Sequence, residues 1–201
     1  MIALIDYGSG NLRSVSKALQ REGADVNLVD APEELAKADA VVLPGVGAFG
    51  DCVRNLQERT LWDPIRKWLE SGKPFLGICL GYQMLFESSE ETPGVKGFGF
   101  FKGEVRRFQD AGLKIPHMGW NTLQRNNHKL WHGLPENPYV FFVHSYFPVP
   151  EDPSIITSRT TYGETFAASV AREKVAAVQF HPEKSQETGL AILRNFIQSI
   201  S

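Results

Sequence analysis

"KPFLGICLGYQ", residues 73–83, decides the fold. Its first part, Lys73 to Cys79, is a short apolar run that reads as a buried strand, and from Leu80 the chain opens a helix. Between them lies Gly77-Ile78-Cys79-Leu80-Gly81, the pattern of a nucleophile elbow with cysteine in the place of serine. A sharp strand-to-helix turn holds such a residue in a strained backbone conformation. Glycine at the flanking positions removes the collisions that side chains would cause there. The turn sets the sulfur at a helix N-terminus, where N–H groups and the dipole favour thiolate over thiol. The N–H of Leu80 is then placed to stabilise an oxyanion on the attacked carbon.

Outward from the elbow, the first half of the chain alternates between strand and helix. "IALID" (2–6), "DVNLVD" (25–30) and "AVVLPG" (40–45) read as strands. "NLRSVSKALQREG" carries Leu12, Val15, Ala18 and Leu19 at helical spacing and stops at Gly23. "PEELAKA" is a short helix with Pro32 near its start. The helical region from Phe49 to Glu70 is expected to break near Asp63-Pro64, because proline disfavours a helical residue before it. Short, continuous apolar strands between helices predict a parallel sheet covered on both faces. The second half changes character: "GEVRRF", "YVFFVHSYF", "SIITSRT", "FAASVA" and "KVAAVQF" read as strands joined by turns, and "ETGLAILRNFIQSI" closes the chain as a helix. The expected architecture is α/β: one domain over 1–201, with a parallel central sheet, helices on both faces, and antiparallel strands extending it.

Composition excludes several classes. With 42% hydrophobic and 22% charged residues, a sizeable core can be buried. The net charge of -2 offers no electrostatic ground for a nucleic-acid or membrane-surface partner. The first ten residues lack a signal-peptide core, and no apolar run approaches the roughly 18 residues of a membrane span. Two cysteines make no disulfide framework, so a reducing cytoplasm is the expected setting. Cys52, in "FGDCVRNLQ", reads as a packed helical residue. Neither cysteine belongs to a C-x-x-C pair and there is no H-E-x-x-H, so no metal site is expected.

A thiol nucleophile needs a base, and the base needs a group to fix its tautomer. Of five histidines, His181 stands directly after an apolar strand in "VAAVQFHPE". If the backbone stays extended through Pro182, His181 and Glu183 project to the same side and the carboxylate can accept from the imidazole. His144 in "FFVHSYF" is the rival base, though a strand histidine satisfied by hydrogen bonds is the expected reading. His117, His128 and His132 lie in polar or loop-like contexts and read as ordinary. The loop "LPGVGAFG" (43–50) follows a strand whose carboxyl end lines the crevice, and its glycines allow the N–H of Val46 or Gly47 to face the same oxyanion as Leu80. "DYGSGNLR" fails the dinucleotide fingerprint, since Arg13 stands where a third glycine or alanine is needed. A nucleotide cofactor is rejected, and no other cofactor is expected.

"GICLGYQ" with "FHPE" resembles the class I (triad) glutamine amidotransferases, a flavodoxin-like α/β family. "DYGSGN", "HMGWN" (117–121), "FVHSY" (142–146) and "HPEKSQ" are more selective, and are similar to the glutaminase subunits of imidazole glycerol phosphate synthases in histidine biosynthesis. The resemblance spans essentially the whole chain. It implies that Cys79 attacks the carboxamide of L-glutamine, that His181 activates it, and that Glu183 orients His181. It makes Gln83 a substrate-binding residue one helical turn beyond Cys79. It sets Leu80 with Val46 and Gly47 in the oxyanion region, and Ser145 and Tyr146 on a strand near the substrate's α-amino and α-carboxyl groups. It implies a heterodimer with a (β/α)8-barrel cyclase that receives the ammonia, with Met118, Trp120 and Asn121 at the partner face. Phe141 stands where some relatives have tyrosine at that contact. It further implies that the isolated subunit is nearly silent until ligand fills the cyclase site. A physical rationale is that the glycines of the "PGVG" loop allow an easy peptide flip that completes or dismantles the oxyanion hole. Two other readings compete: a stand-alone cysteine hydrolase of γ-glutamyl substrates, and a non-catalytic binding subunit.

Overall fold

A computed structural model describes residues 1–109 and 112–200. The first half contains β1 (Ile2–Ile5), α1 (Leu12–Arg21), β2 (Val26–Val29), α2 (Pro32–Leu35), β3 (Ala40–Gly45), α3 (Phe49–Glu58), α4 (Trp62–Glu70), β4 (Phe75–Cys79) and α5 (Leu80–Gln83). After it come β5 (Ser88–Ser89), β6 (Gly103–Arg107), β7 (His117–Thr122), β8 (Gln124–Arg125), β9 (Tyr139–His144) and β10 (Tyr146–Pro150). The chain ends with β11 (Ile156–Tyr162), β12 (Glu164–Arg172), β13 (Val175–Val178) and α6 (Gln186–Gln198).

The main sheet runs β2-β1-β3-β4-β13-β12-β11-β8. Its pairs from β2 to β13 are parallel, and those from β13 to β8 antiparallel, as the change of sequence character implied. The chain moves one way across the sheet from β1 to β2 and the other way from β2 through β3 to β4. Right-handed crossovers therefore send α1 to one face and α3 and α4 to the other. Consistently, α1 packs with α6, while α3 packs with α4 and α5. β1, β3 and β4 are buried along their whole length, which is why they read as unbroken apolar runs. β2 is the edge strand, and Leu28 at 52% exposure shows that its run is not a buried one.

Three local expectations need correction. The break in the long helical region falls at Thr60, which takes φ 58°, not at Asp63-Pro64. Pro64 instead sits in the first turn of α4, where backbone N–H groups have no helical acceptor and proline costs little. The helix after the elbow is a single turn. "YVFFVHSYF" is two strands parted at Ser145: β9 pairs with β7, and β10 with β6, in two smaller sheets.

Candidate active site

β4 lies between β3 and β13, with Gly45 beside Cys79 and Val178 beside Ile78. The carboxyl ends of three adjacent parallel strands thus deliver the elbow, the "PGVG" loop and the "QFHPE" segment to one place. Cys79 adopts φ 55° and ψ -109°, a conformation that costs an L-residue on the order of 1–3 kcal/mol. The flanking glycines are required by contact. A Cβ on Gly77 would lie 2.8 Å from the Gly81 carbonyl oxygen, and one on Gly81 only 1.8 Å from that of Leu43. The cleft above the sulfur has a volume of about 350 Å³. Val46, Gly47, Cys79, Leu80, Gln83, Ser145, Tyr146 and His181 all line it. Glu91, Pro116, Val143 and His144 line it too, and motif reading did not anticipate them there as part of a pocket.

His181 and Glu183 are both buried, with Nδ1 and Oε1 2.8 Å apart. The contact is the expected one, but the reason differs. Residues 182–184 form a 3₁₀ turn, so Glu183 folds back under the ring instead of following an extended chain. The base is also pinned through its backbone: His181 N–H donates to the Phe141 carbonyl, and Ser185 Oγ–H donates to the His181 carbonyl. Phe141 N–H in turn donates to Ser185 Oγ. Burial works against protonation of His181, but the Cys79 sulfur and the Glu183 carboxylate outweigh it and raise its pKa above the ordinary value. Its Nε2 is buried without a hydrogen-bond partner and is the ring nitrogen not taken up by Glu183.

The expected oxyanion donors are in two states. Leu80 N–H belongs to the first turn after the sulfur. Val46 N–H is engaged elsewhere, donating to Ser9 Oγ at 3.2 Å, and the same hydroxyl donates back to the Val46 carbonyl. Cys52 is a buried helical thiol near this loop, its Sγ 3.6 Å from the Val46 carbonyl oxygen.

His144 is held as expected of a strand histidine, but His117 is no ordinary loop residue. It is buried on β7, stacked between Tyr162 and Phe142 with centroids 4.1 and 4.7 Å away. Its Nδ1 lies 3.0 Å from His144 Nε2. Burial lowers the pKa of His117 to about 4 and that of His144 to about 3. Both rings are therefore neutral in the folded protein but would charge in the unfolded chain below about pH 6.5. The unfolded state then binds more protons, so stability falls as pH drops from 6.5 toward 4. The slope is up to about 1.4 kcal/mol per pH unit for each ring. His128, lowered by burial, acts in the same sense. His181, shifted the other way, contributes fully throughout this window and offsets none of the slope. Urea midpoints measured across the window should fall steadily with acid, and a His117→Phe variant should flatten the curve.

β7 and β9 form a two-stranded ribbon with Trp120 opposite Phe141 and Met118 opposite Val143. Alternation turns His117, Val140, Phe142 and His144 inward and leaves Met118, Trp120 and Tyr139 outward, at 62%, 46% and 60% exposure. Asn121 is on the inner side, its Nδ2 donating to the Thr161 carbonyl and to His117 Nε2.

An elbow cysteine, a carboxylate-held histidine and a cleft at the carboxyl end of a parallel sheet have the geometry that cysteine-dependent acyl transfer requires. The sequence model of the family Glutamine amidotransferase class-I matches residues 3–200, and the chain belongs to that family. Imidazole glycerol phosphate synthase subunit HisH of Thermosynechococcus vestitus is 55% identical over 200 residues, covering 98% of this chain and 95% of the relative. The subunit of the same name from Syntrophotalea carbinolica is 49% identical, covering 98% of each. Among solved structures, a glutamine amidotransferase crystal structure superimposes with TM-score 0.76 at 23% identity, covering 100% of this chain and 99% of that one. PurLQS from Thermotoga maritima gives 0.77 at 21% identity, covering 100% and 98%. At such identities these two speak for the fold. Among the described residues no helix is long and apolar enough to cross a membrane.

Proposed function

We propose that the chain is the glutaminase subunit of an imidazole glycerol phosphate synthase. The observation that carries this is the convergence of a strained Cys79 and the His181–Glu183 pair on one cleft, in a chain about half identical to HisH subunits over its whole length. The Cys79 thiolate attacks the γ-carboxamide carbon of L-glutamine, and the C–N bond breaks as His181 gives its proton to the departing ammonia. Water, deprotonated by His181, then cleaves the thioester, releasing glutamate and restoring the thiol. Glu183 holds Nδ1–H so that Nε2 faces the sulfur. Leu80 N–H, joined by Val46 or Gly47 once the loop turns, receives the oxyanion. Gln83, Ser145 and Tyr146 hold the amino-acid end. The reaction calls for no metal or organic cofactor, and the free thiols suit a cytoplasmic setting.

The ammonia is consumed by a (β/α)8-barrel cyclase docked on the β7–β9 ribbon. A solvent-facing cluster of methionine, tryptophan and tyrosine beside the mouth of the cleft has the composition of an interface core. The same exposed cluster weighs against a stand-alone hydrolase, and the assembled triad against a purely binding role. The test is to mix the chain with the cyclase and the cyclase's ligand and to measure glutamate release. Release should rise sharply over that of the chain alone. Trp120→Asp should weaken association by about 2 kcal/mol or more, read by titration calorimetry, as at a central aromatic contact. Full turnover by the isolated chain would sink the subunit reading.

A further inference from the structure

The side chain of Gln179, two residues before His181, is completely buried and has no part in the scheme above. Its Nε2 points at the Cys79 sulfur at 3.8 Å. Its Oε1 accepts from Gln83 Nε2 at 3.1 Å. Gln83 Nε2 donates its other hydrogen to the Tyr146 carbonyl at 3.0 Å, and His144 Nδ1 meets that carbonyl at 2.9 Å.

The direction of every link follows from that one carbonyl, which can only accept. His144 must carry its proton on Nδ1, so its Nε2 accepts from His117 Nδ1. His117 Nε2 then accepts from Asn121 Nδ2 at 3.3 Å. On the other side, Gln83 must present its NH₂ to Tyr146, so Gln179 must turn its oxygen to Gln83 and its NH₂ to the sulfur. No amide in the line can flip without breaking two bonds. The lowered pKa values of both rings agree with this, since a charged imidazole would put donor against donor.

A donor aimed at a sulfur does little for a neutral thiol and much for a thiolate, because bonds to ionised acceptors are the strong ones. The single-turn α5 leaves Cys79 without the dipole of a long helix, so a fixed N–H has a role to fill. Resting on the reading of Cys79 as nucleophile, we propose that Gln179 is a further catalytic residue, whose Nε2–H supports the Cys79 thiolate. Gln83, His144 and His117 are the positioning residues that aim it. Other ionisable groups around Cys79 are His181 with its Glu183, Tyr7 and Cys52, and Glu91, His144 and Tyr146 line the same cleft; none of these is itself replaced by a substitution at 179.

The experiment is alkylation of the full chain by iodoacetamide as a function of pH, with the Cys79 peptide followed by mass spectrometry so that Cys52 is read separately. Gln179→Glu keeps an oxygen for Gln83 but puts a carboxyl, with its charge, where the N–H faced the sulfur. Gln179→Met removes the amide at similar volume. Each should slow Cys79 alkylation at neutral pH by about tenfold or more and move the rate profile to higher pH. His117→Phe keeps the stacked ring but removes the donor to His144, and should move the profile the same way by about threefold. If Gln179→Met does not fold, Gln179→Leu takes its place as the uncharged variant. A Gln179→Glu profile that superimposes on the parent overturns the assignment while leaving Cys79 as nucleophile. A His117→Phe profile that does so overturns the positioning line. Glutamate release surviving in a Cys79→Ala complex would overturn the reading of Cys79, and this assignment with it.

Discussion

Cys79→Ala is expected to lower glutamine-dependent product formation by the assembled synthase by on the order of 10⁴-fold or more, as removal of a covalent nucleophile does elsewhere. The same complex fed ammonium salt should form product at the parental rate, because the cyclase then receives its nitrogen from solution. Cys79→Ser should behave almost as severely. The elbow would put the hydroxyl at the same address, since the main chain and not the side chain sets that address, but a serine there lacks the ready ionisation of a thiol. Glutamate and product measured in parallel separate the two half-reactions. Failure of the variant to bind the cyclase in titration calorimetry would mean that the substitution had disturbed assembly and not chemistry.

Gly81→Ala should be among the most damaging single methyl additions in the molecule. Its Cβ would meet a backbone oxygen at 1.8 Å, and backbone cannot swing aside as a flexible side chain can. Either α5 lifts away from β3 or the elbow opens, and each moves the sulfur. Overpacking against such a partner costs about 3 kcal/mol or more, which for a chain of this size lowers the melting temperature by roughly 6–12 °C. Gly77→Ala meets Gly81 at 2.8 Å and should cost less. Calorimetry on the two variants gives the ranking, and the reverse order would mean that the elbow is softer than its contacts imply.

What could be read from the sequence was whatever is written locally. The elbow is a run of five residues whose glycines answer to contacts within the same turn and the next strand, so pattern alone reached it. The alternation of the first half reflects buried parallel strands, which leave an unmistakable apolar signature. His181 and Glu183 were paired correctly but through an extended backbone, when a 3₁₀ turn does the work. Periodicity cannot tell these apart over three residues, since both bring the side chains together. The long helical region was cut at its proline, although a proline in a first turn begins a helix as readily as it ends one. Gln179, His117 and the ribbon strand β7 lay beyond reach. Their meaning comes from partners 27 to 100 residues away, as in the contacts of His117 with His144 and of Gln179 with Cys79, and no local pattern encodes such distances. A histidine flanked by proline and methionine looks like a loop until its stacking partners are known.

The two-faced ribbon carries a consequence for how this chain can diverge. The exposed positions Met118, Trp120 and Tyr139 can be exchanged one at a time while the inward side chains stay in place. A single inserted or deleted residue between 117 and 122 would do something quite different. Every later side chain of the strand would change sides relative to His117, driving tryptophan toward the interior and turning Asn121 out, because strand geometry repeats every second residue. Among functional descendants, spelling on the outer surface is free to drift, but the length of this segment is not.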